Sequence, residues 1–339
     1  MESKKILLVL LLPAVLLLSM VGCNESNPYS NGLELRKLSE IDNDLVEVYC
    51  SDSMDGYAVT GYTGGDKNIV VPAQYQGEPV VAIIDAFKGN ADVASVSIPD
   101  SVILIENAFH SCTGLTEVTI PHSVVCIGNN TFSHCTNLTR VTIPDSVTEI
   151  GESAFRDCTG LADMTIPDSV TVIGTDAFCG CIGLAEVAIP GNVTEIGSGA
   201  FSYCNGLTEV TIPDSVTEIG PETFCGCIGL TGVTIPDSIT KIGTEAFSGC
   251  TELTDVTIPD SVTEIGAEAF NGCCSLVNVT LGNSVTKIDF GAFTYCALTE
   301  IVIPDSLASY KSAFDDGVVL KSKMYYYLRT LPIDEVLAQ

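Results

Sequence analysis

A unit of 23 residues repeats through most of this chain, and that regularity leaves few folds open to it. Phenylalanine recurs at 109, 132, 155, 178, 201, 224, 247, 270 and 293, and cysteine at 112, 135, 158, 181, 204, 227, 250, 273 and 296. Every step is 23 residues, with no slippage. Proline holds the same phase at 99, 121, 144, 167, 190, 213, 236, 259 and 304, with Gly282 once in its place. One-residue deletions between Asp100 and Phe109 and after Cys296 shorten the end units. Units that repeat at such a period pack only on their neighbours, so 339 residues need not divide into two compact domains.

The residues within a unit say how one coil closes. In the unit from Leu138 to Cys158, Leu138, Val141 and Ile143 follow the L-x-x-L-x-L spacing in which a short strand turns alternate side chains inward. Pro144 cannot donate to a sheet ladder and therefore ends the strand. Val147 and Ile150 point back inside, Gly151 allows a tight bend, and Ala154 with Phe155 is expected to open a short helical or 3-10 turn that ends at Cys158. One coil cannot bury these apolar side chains alone. Stacking supplies the missing wall, and each valine- or leucine-sized residue so buried contributes roughly 1.5–3 kcal/mol before entropy is subtracted.

The expected fold is a solenoid with short parallel strands on one face and short helical or 3-10 turns and extended segments elsewhere. It has about ten coils of 23 residues and capped ends. The coils are expected over residues 96–305. Residues 45–95 read as an N-terminal cap and first irregular coil, with strands at Leu45–Cys50 and Tyr57–Tyr62 around an Asp55-Gly56 turn signal. Residues 306–339, with Tyr325, Tyr326 and Tyr327, read as a C-terminal cap.

The N-terminus has a different texture. Lys4 and Lys5 precede an apolar run from Ile6 to Val21 that is broken by Pro13 and Ser19. A spanning helix needs about 20 apolar residues, so 1–22 reads as a signal peptide. Ser19-Met20-Val21-Gly22-Cys23 resembles a bacterial lipobox, with Met20 where leucine is commonest. That resemblance implies acylation at Cys23 and a membrane anchor, with ordinary cleavage and secretion as the alternative. Polar residues 23–44 read as a flexible tether.

The unit I-P-D-S-V-T-E-I-G-x-x-A-F-x-G-C-x-G-L-T-x-V-T resembles the BspA-type leucine-rich repeat of bacterial and some protozoan surface proteins, and it covers about two-thirds of the chain. The asparagine ladder of ordinary leucine-rich repeats is mostly replaced by serine, as at Ser123, Ser146, Ser169 and Ser215, where the hydroxyl can bond turn backbone. The resemblance implies a cell-surface protein that attaches to matrix proteins or to other cells.

Composition narrows the partners. The chain has 43 acidic against 14 basic residues, a net charge of −29 and no tryptophan, which argues against nucleic acid as a ligand. The outward strand positions are Glu117, Arg140, Asp163, Glu186, Glu209, Gly232, Asp255, Asn278 and Glu300. They form a long polar, acidic strip suited to a protein or glycan ligand of basic character, held through many weak contacts. Of these, Glu117, Arg140, Asp163, Glu186, Glu209, Asp255 and Glu300 are the candidate ligand-binding residues. Selection for solubility alone would produce a similar strip, and a structural spacer with no ligand is the alternative.

No serine–histidine–acid set, phosphate loop or zinc motif occurs, and the chain is expected to be a monomeric non-enzyme with no cofactor and no metal. Aspartates after proline, at 100, 145, 168, 214, 237, 260 and 305, read as a solvated acidic edge more readily than as calcium ligands. Stacked cysteines in one inward phase stand about 4.8 Å apart, the spacing of neighbouring strands. Disulfides need a closer and specifically twisted pair, so buried free thiols are expected.

Overall fold

The computed structural model describes residues 32–41, 55–304, 307 and 311–322. The signal peptide, Cys23, Leu45–Cys50 and Tyr325–Tyr327 lie outside the described residues. What is described is a parallel β-solenoid of about eleven coils of about 23 residues.

Each coil contributes to two parallel ladders that rise together. In the first, Glu117–Thr119, Arg140–Thr142 and Asp163–Met164 pair in register, with Val118 beside Val141 and Val141 beside Met164. Further along, Glu209–Thr211 pairs with Gly232–Thr234, and Asp255–Thr257 with Asn278–Thr280. Alternation within three residues places Val118, Val141, Val210 and Val256 inside and their flanking residues outside. The second ladder uses two residues per coil. Cys126–Ile127, Glu149–Ile150, Val172–Ile173 and Glu195–Ile196 pair in one run, and Glu218–Ile219, Lys241–Ile242, Glu264–Ile265 and Lys287–Ile288 in another.

The third side is a run of turns and not the expected helical or 3-10 segment. Ser153 and Asp157 both take left-handed backbone, with φ 53° and 55°. Their N–H groups and that of Phe155 donate to the next coil, at Thr175, Cys179 and Ala177, over 2.7–2.8 Å. A helix would turn these donors back into its own segment. Here they are spent between coils, and the same left-handed positions recur along the chain.

Phenylalanine fills the centre. From Phe87 to Phe314 the rings stack with centroids 5.2–5.6 Å apart and planes within 13°. That is the offset-stacked range for aromatic pairs. Phe109 to Phe293 are fully buried, and truncating such a ring costs about 3–5 kcal/mol. Beside this column each cysteine thiol donates to the phenylalanine carbonyl of the preceding coil, as Cys158 does to Phe132 over 3.0 Å and Cys250 to Phe224 over 3.2 Å. The described cysteines are free thiols. Serine replaces the usual asparagine as a bond to turn backbone: Ser146 donates to Val124 and Ser169 to Val147, both at 2.6 Å. Gly151 and Gly174 sit where coils approach closely; a Cβ on Gly174 would lie 2.7 Å from Gly151 carbonyl carbon.

The N-terminal cap begins earlier than the sequence suggests. β1 (Leu33–Lys37), within the stretch read as a flexible tether, pairs antiparallel with β2 (Tyr57–Tyr62). β3 (Asn68–Val70) joins Ser95–Ser97. β4 (Gln74–Tyr75) and β5 (Glu78–Ile84) form a hairpin on Gln76-Gly77, both with positive φ as a two-residue primed turn requires. β5 lies parallel between β2 and Leu104–Glu106, so the first coil is covered by an antiparallel edge.

Candidate ligand-binding face

The predicted strip falls on one side of the coils, in four paired groups, and register aligns its members within each group. Arg140 stands opposite Glu117 on one side and Asp163 on the other, Glu186 opposite Glu209, Glu209 opposite Gly232, and Asp255 opposite Asn278. Glu117, Arg140, Glu186, Glu209, Asp255 and Glu300 are exposed. The inward valines fix this direction, because a residue on each side of a buried neighbour must face solvent. A second exposed row runs alongside, formed by Thr119, Thr142, Thr165, Thr211, Thr234, Thr257 and Thr280.

The strip is not uniform. Toward the C-terminal end its acids are held: Asp255 accepts from Asn278 over 2.6 Å and from Thr254 over 2.7 Å. The Asn278 bond, and after it the Thr254 bond, keeps the Asp255 carboxyl below its ordinary pKa. Glu300 pairs with Lys321 at 2.6 Å. Glu117, Glu186 and Glu209 have no basic side chain within ion-pair distance among the described residues. The face thus has a stretch where Glu117, Glu186 and Glu209 lack ion pairs, and an end where Asp255 is hydrogen-bonded and Glu300 ion-paired.

The strand ladder also breaks between Asp163–Met164 and the next coil, where Glu186 makes only an isolated bridge to Glu209. Ala162, Met164, Ala185 and Ala188 interrupt the threonine and valine pattern there, and alanine is a weak strand former.

The other clusters remain small. His110 and His134 meet edge to face at 5.4 Å, and His134 lies 3.4 Å from Asp157. Burial first, then Lys88 and His134, lowers the His110 pKa. Among the described residues no group of three or more metal-ligating side chains converges. Sequence reasoning missed a set of apolar surface residues, Ile182, Tyr203, Ile228 and Tyr295, which are about half exposed or more. Their signal was available: each stands where other units carry a polar residue or glycine.

Comparison with known proteins agrees with this construction. The family model for the BspA type leucine rich repeat region matches in six copies, over residues 84–208 and 195–317. A leucine rich repeat protein of T. pallidum is 30% identical, with 68% of this chain and 91% of that chain covered and a TM-score of 0.49. A leucine-rich repeat protein from Bacteroides ovatus ATCC 8483 is 25% identical, covering 88% of this chain and 100% of that one, TM-score 0.37. A leucine rich cell surface protein from Faecalibacterium prausnitzii A2-165 is 26% identical, covering 81% and 92%, TM-score 0.40. Among curated proteins none matches. With the repeat, its strands and the matched span in agreement, the chain belongs to the BspA-type leucine-rich-repeat family.

Proposed function

We propose that this protein is a surface-displayed binding scaffold that holds a protein or glycan ligand of basic character along the Glu117–Glu209 stretch of its strand face. The observation that carries this reading is the in-register exposed row in which Glu117, Glu186 and Glu209 lack basic partners among the described residues. Carboxylates aligned in one row on successive coils, interrupted by Arg140, suit an extended ligand, and many weak contacts along a rigid row add up to useful affinity. The surface location follows from the apolar leader and from Cys23 as a lipid anchor; multiple acyl chains there would hold the protein far more firmly than one.

The test is a binding screen of the protein without residues 1–22 against matrix proteins and glycans, repeated with Glu117→Lys, Glu186→Lys and Glu209→Lys combined. The expected result is a ligand whose affinity falls about tenfold or more on charge reversal, each exposed pair being worth about 0.2–1 kcal/mol and reversal adding repulsion. No partner at all would favour the second reading, a spacer, which the internally satisfied acids at Asp255 and Glu300 already suit.

A further inference from the structure

In a repeat this regular, an exposed position that turns apolar stands out against its own row. Tyr203 and Tyr295 are 56% and 71% exposed, in a turn row that elsewhere holds Ser111, His134 and Asp157. Ile182 and Ile228, each 47% exposed, stand in the adjoining row, where Thr113, Thr136, Thr159 and Thr251 are found.

Between the two tyrosines the row is Gly226, Gly249 and Gly272, all left-handed with φ of 69–73°. The ring of Tyr203 lies on Gly226, where a Cβ would meet it at 2.6 Å. Cβ positions on Gly249 and Gly272 meet only the backbone of the preceding glycine, at 3.6–3.8 Å, and otherwise face open space. The result is a backbone floor, open at Gly249 and Gly272 and covered by the Tyr203 ring at Gly226, bounded by two phenol rings four coil steps apart, each step 5.2–5.6 Å.

Glu222, Glu245 and Glu268 recur one coil apart, four residues before Gly226, Gly249 and Gly272, and none has an ion-pair partner among the described residues. Burial, then repulsion from Glu222 and Glu268, raises the Glu245 pKa. Cys225, partial burial, Cys179 and then Glu222 and Glu245 raise that of Tyr203.

We propose that this trough docks an extended, arginine-rich segment of a protein partner. Guanidinium planes stack on Tyr203 and Tyr295 and fork onto Glu222, Glu245 and Glu268. Glycine lets the incoming backbone come close at positions 249 and 272. Charge complementarity selects this occupant: a neutral segment would leave the carboxylates unmatched, and an acidic one would be repelled. At about 3.3 Å per extended residue, the span between the tyrosines takes about six residues. The trough lies on the turn side of the coils and does not depend on the strand-face reading.

The experiment uses fluorescein-labelled hexaarginine and hexalysine, titrated against the protein at about 0.15 M salt and read by fluorescence anisotropy. Glu222→Gln, Glu245→Gln and Glu268→Gln together should weaken hexaarginine about tenfold. Tyr203→Leu with Tyr295→Leu should weaken hexaarginine about three- to fivefold and hexalysine less. Gly249→Asn keeps the left-handed backbone while filling the floor, and should also weaken binding. The matched control, Asp145→Asn, Asp168→Asn and Asp214→Asn, removes the same charge from the exposed aspartate edge after the prolines and should change affinity less than twofold. Equal losses from the two triple variants, or no saturable binding of hexaarginine, would overturn the proposal. Either result leaves the screen with the strand-face lysine variants to be judged separately. Thermal melts of each variant exclude unfolding as the cause.

Discussion

Glu106 stands where the following coils carry Gly128, Gly151 and Gly174, and its carboxyl lies against Gly128 in the next coil. One oxygen, Oε2, is out of solvent and has no hydrogen-bond partner. Burial first, opposed by the Asn129 backbone N–H and aided by Asp85, raises its pKa to about 7, from 4.5 in the free side chain. Between those two values the folded chain holds a proton that the unfolded chain has lost. This contribution to stability is therefore complete below pH about 4.5 and falls away as pH rises through about 7. Urea melts between these limits should show Glu106→Gln losing less stability than the native protein as pH rises, and exceeding it at pH 8. Identical slopes for the two proteins would show that the carboxyl is already solvated. Nothing in the sequence marked this residue, because a glutamate among forty-three acids is unremarked until a glycine ladder shows whose place it has taken.

At the level of elements, one joint of the two-residue ladder differs from the rest of that ladder. Gly174 and Gly197 donate to Ile150 and Ile173 over 2.8 Å, and Gly243 and Gly266 to Ile219 and Ile242 at the same distance. Among the described residues the Gly220 to Ile196 member is missing, as is the Thr217 to Thr194 bond, and Glu195–Ile196 does not pair with Glu218–Ile219. Phe201 and Phe224 are also the widest ring pair, at 5.6 Å. Pro221 follows Gly220 where Ser198 and Thr244 stand in the flanking coils, and its ring restricts the backbone on both sides. The turn side of this joint is intact, with Phe201 donating to Thr223 over 2.9 Å and Gly199 to Pro221 over 3.0 Å. Hydrogen exchange should find the Thr217 and Gly220 amides about tenfold or more faster than those of Thr240 and Gly243, and Pro221→Thr should slow them. Equal protection would mean that the gap closes in solution.

The same scale shows what could be read in advance. The nine-fold phenylalanine and cysteine ladders dictated a stack of equal coils, since only identical placement in each layer explains an unbroken period. The exposed strip from Glu117 to Glu300 followed from strand alternation. β1 was hidden because Leu33–Lys37 is a short segment whose partner, β2, lies far along the chain. The Glu149–Ile150 type of strand is two residues long, too short to display a period. Left-handed Ser153, Glu222 and Glu245 could not be anticipated from residue type, since none is glycine or asparagine.

Across the whole molecule, the thiols form one buried file parallel to the rings. Burial pushes Cys112 and Cys227 up to about 12, and Cys158, Cys181, Cys204 and Cys250 well above their ordinary value. A thiol held protonated is a poor nucleophile. With a disulfide reagent at pH 8, exposed Cys274 should react promptly in the folded protein, and the file from Cys112 to Cys273 only when the solenoid unfolds. Thiols that stay unreactive in denaturant would reveal disulfides and remove the file.

The ring column also governs how such a molecule can change size. Losing or gaining one amino acid inside a coil would pull a phenylalanine out of line with its neighbours above and below, whereas duplicating a complete unit presents the same two stacking surfaces again. Length is therefore inherited in whole units, and each duplication would carry any surface feature beyond it one coil further along the rod while leaving that feature's own layers untouched.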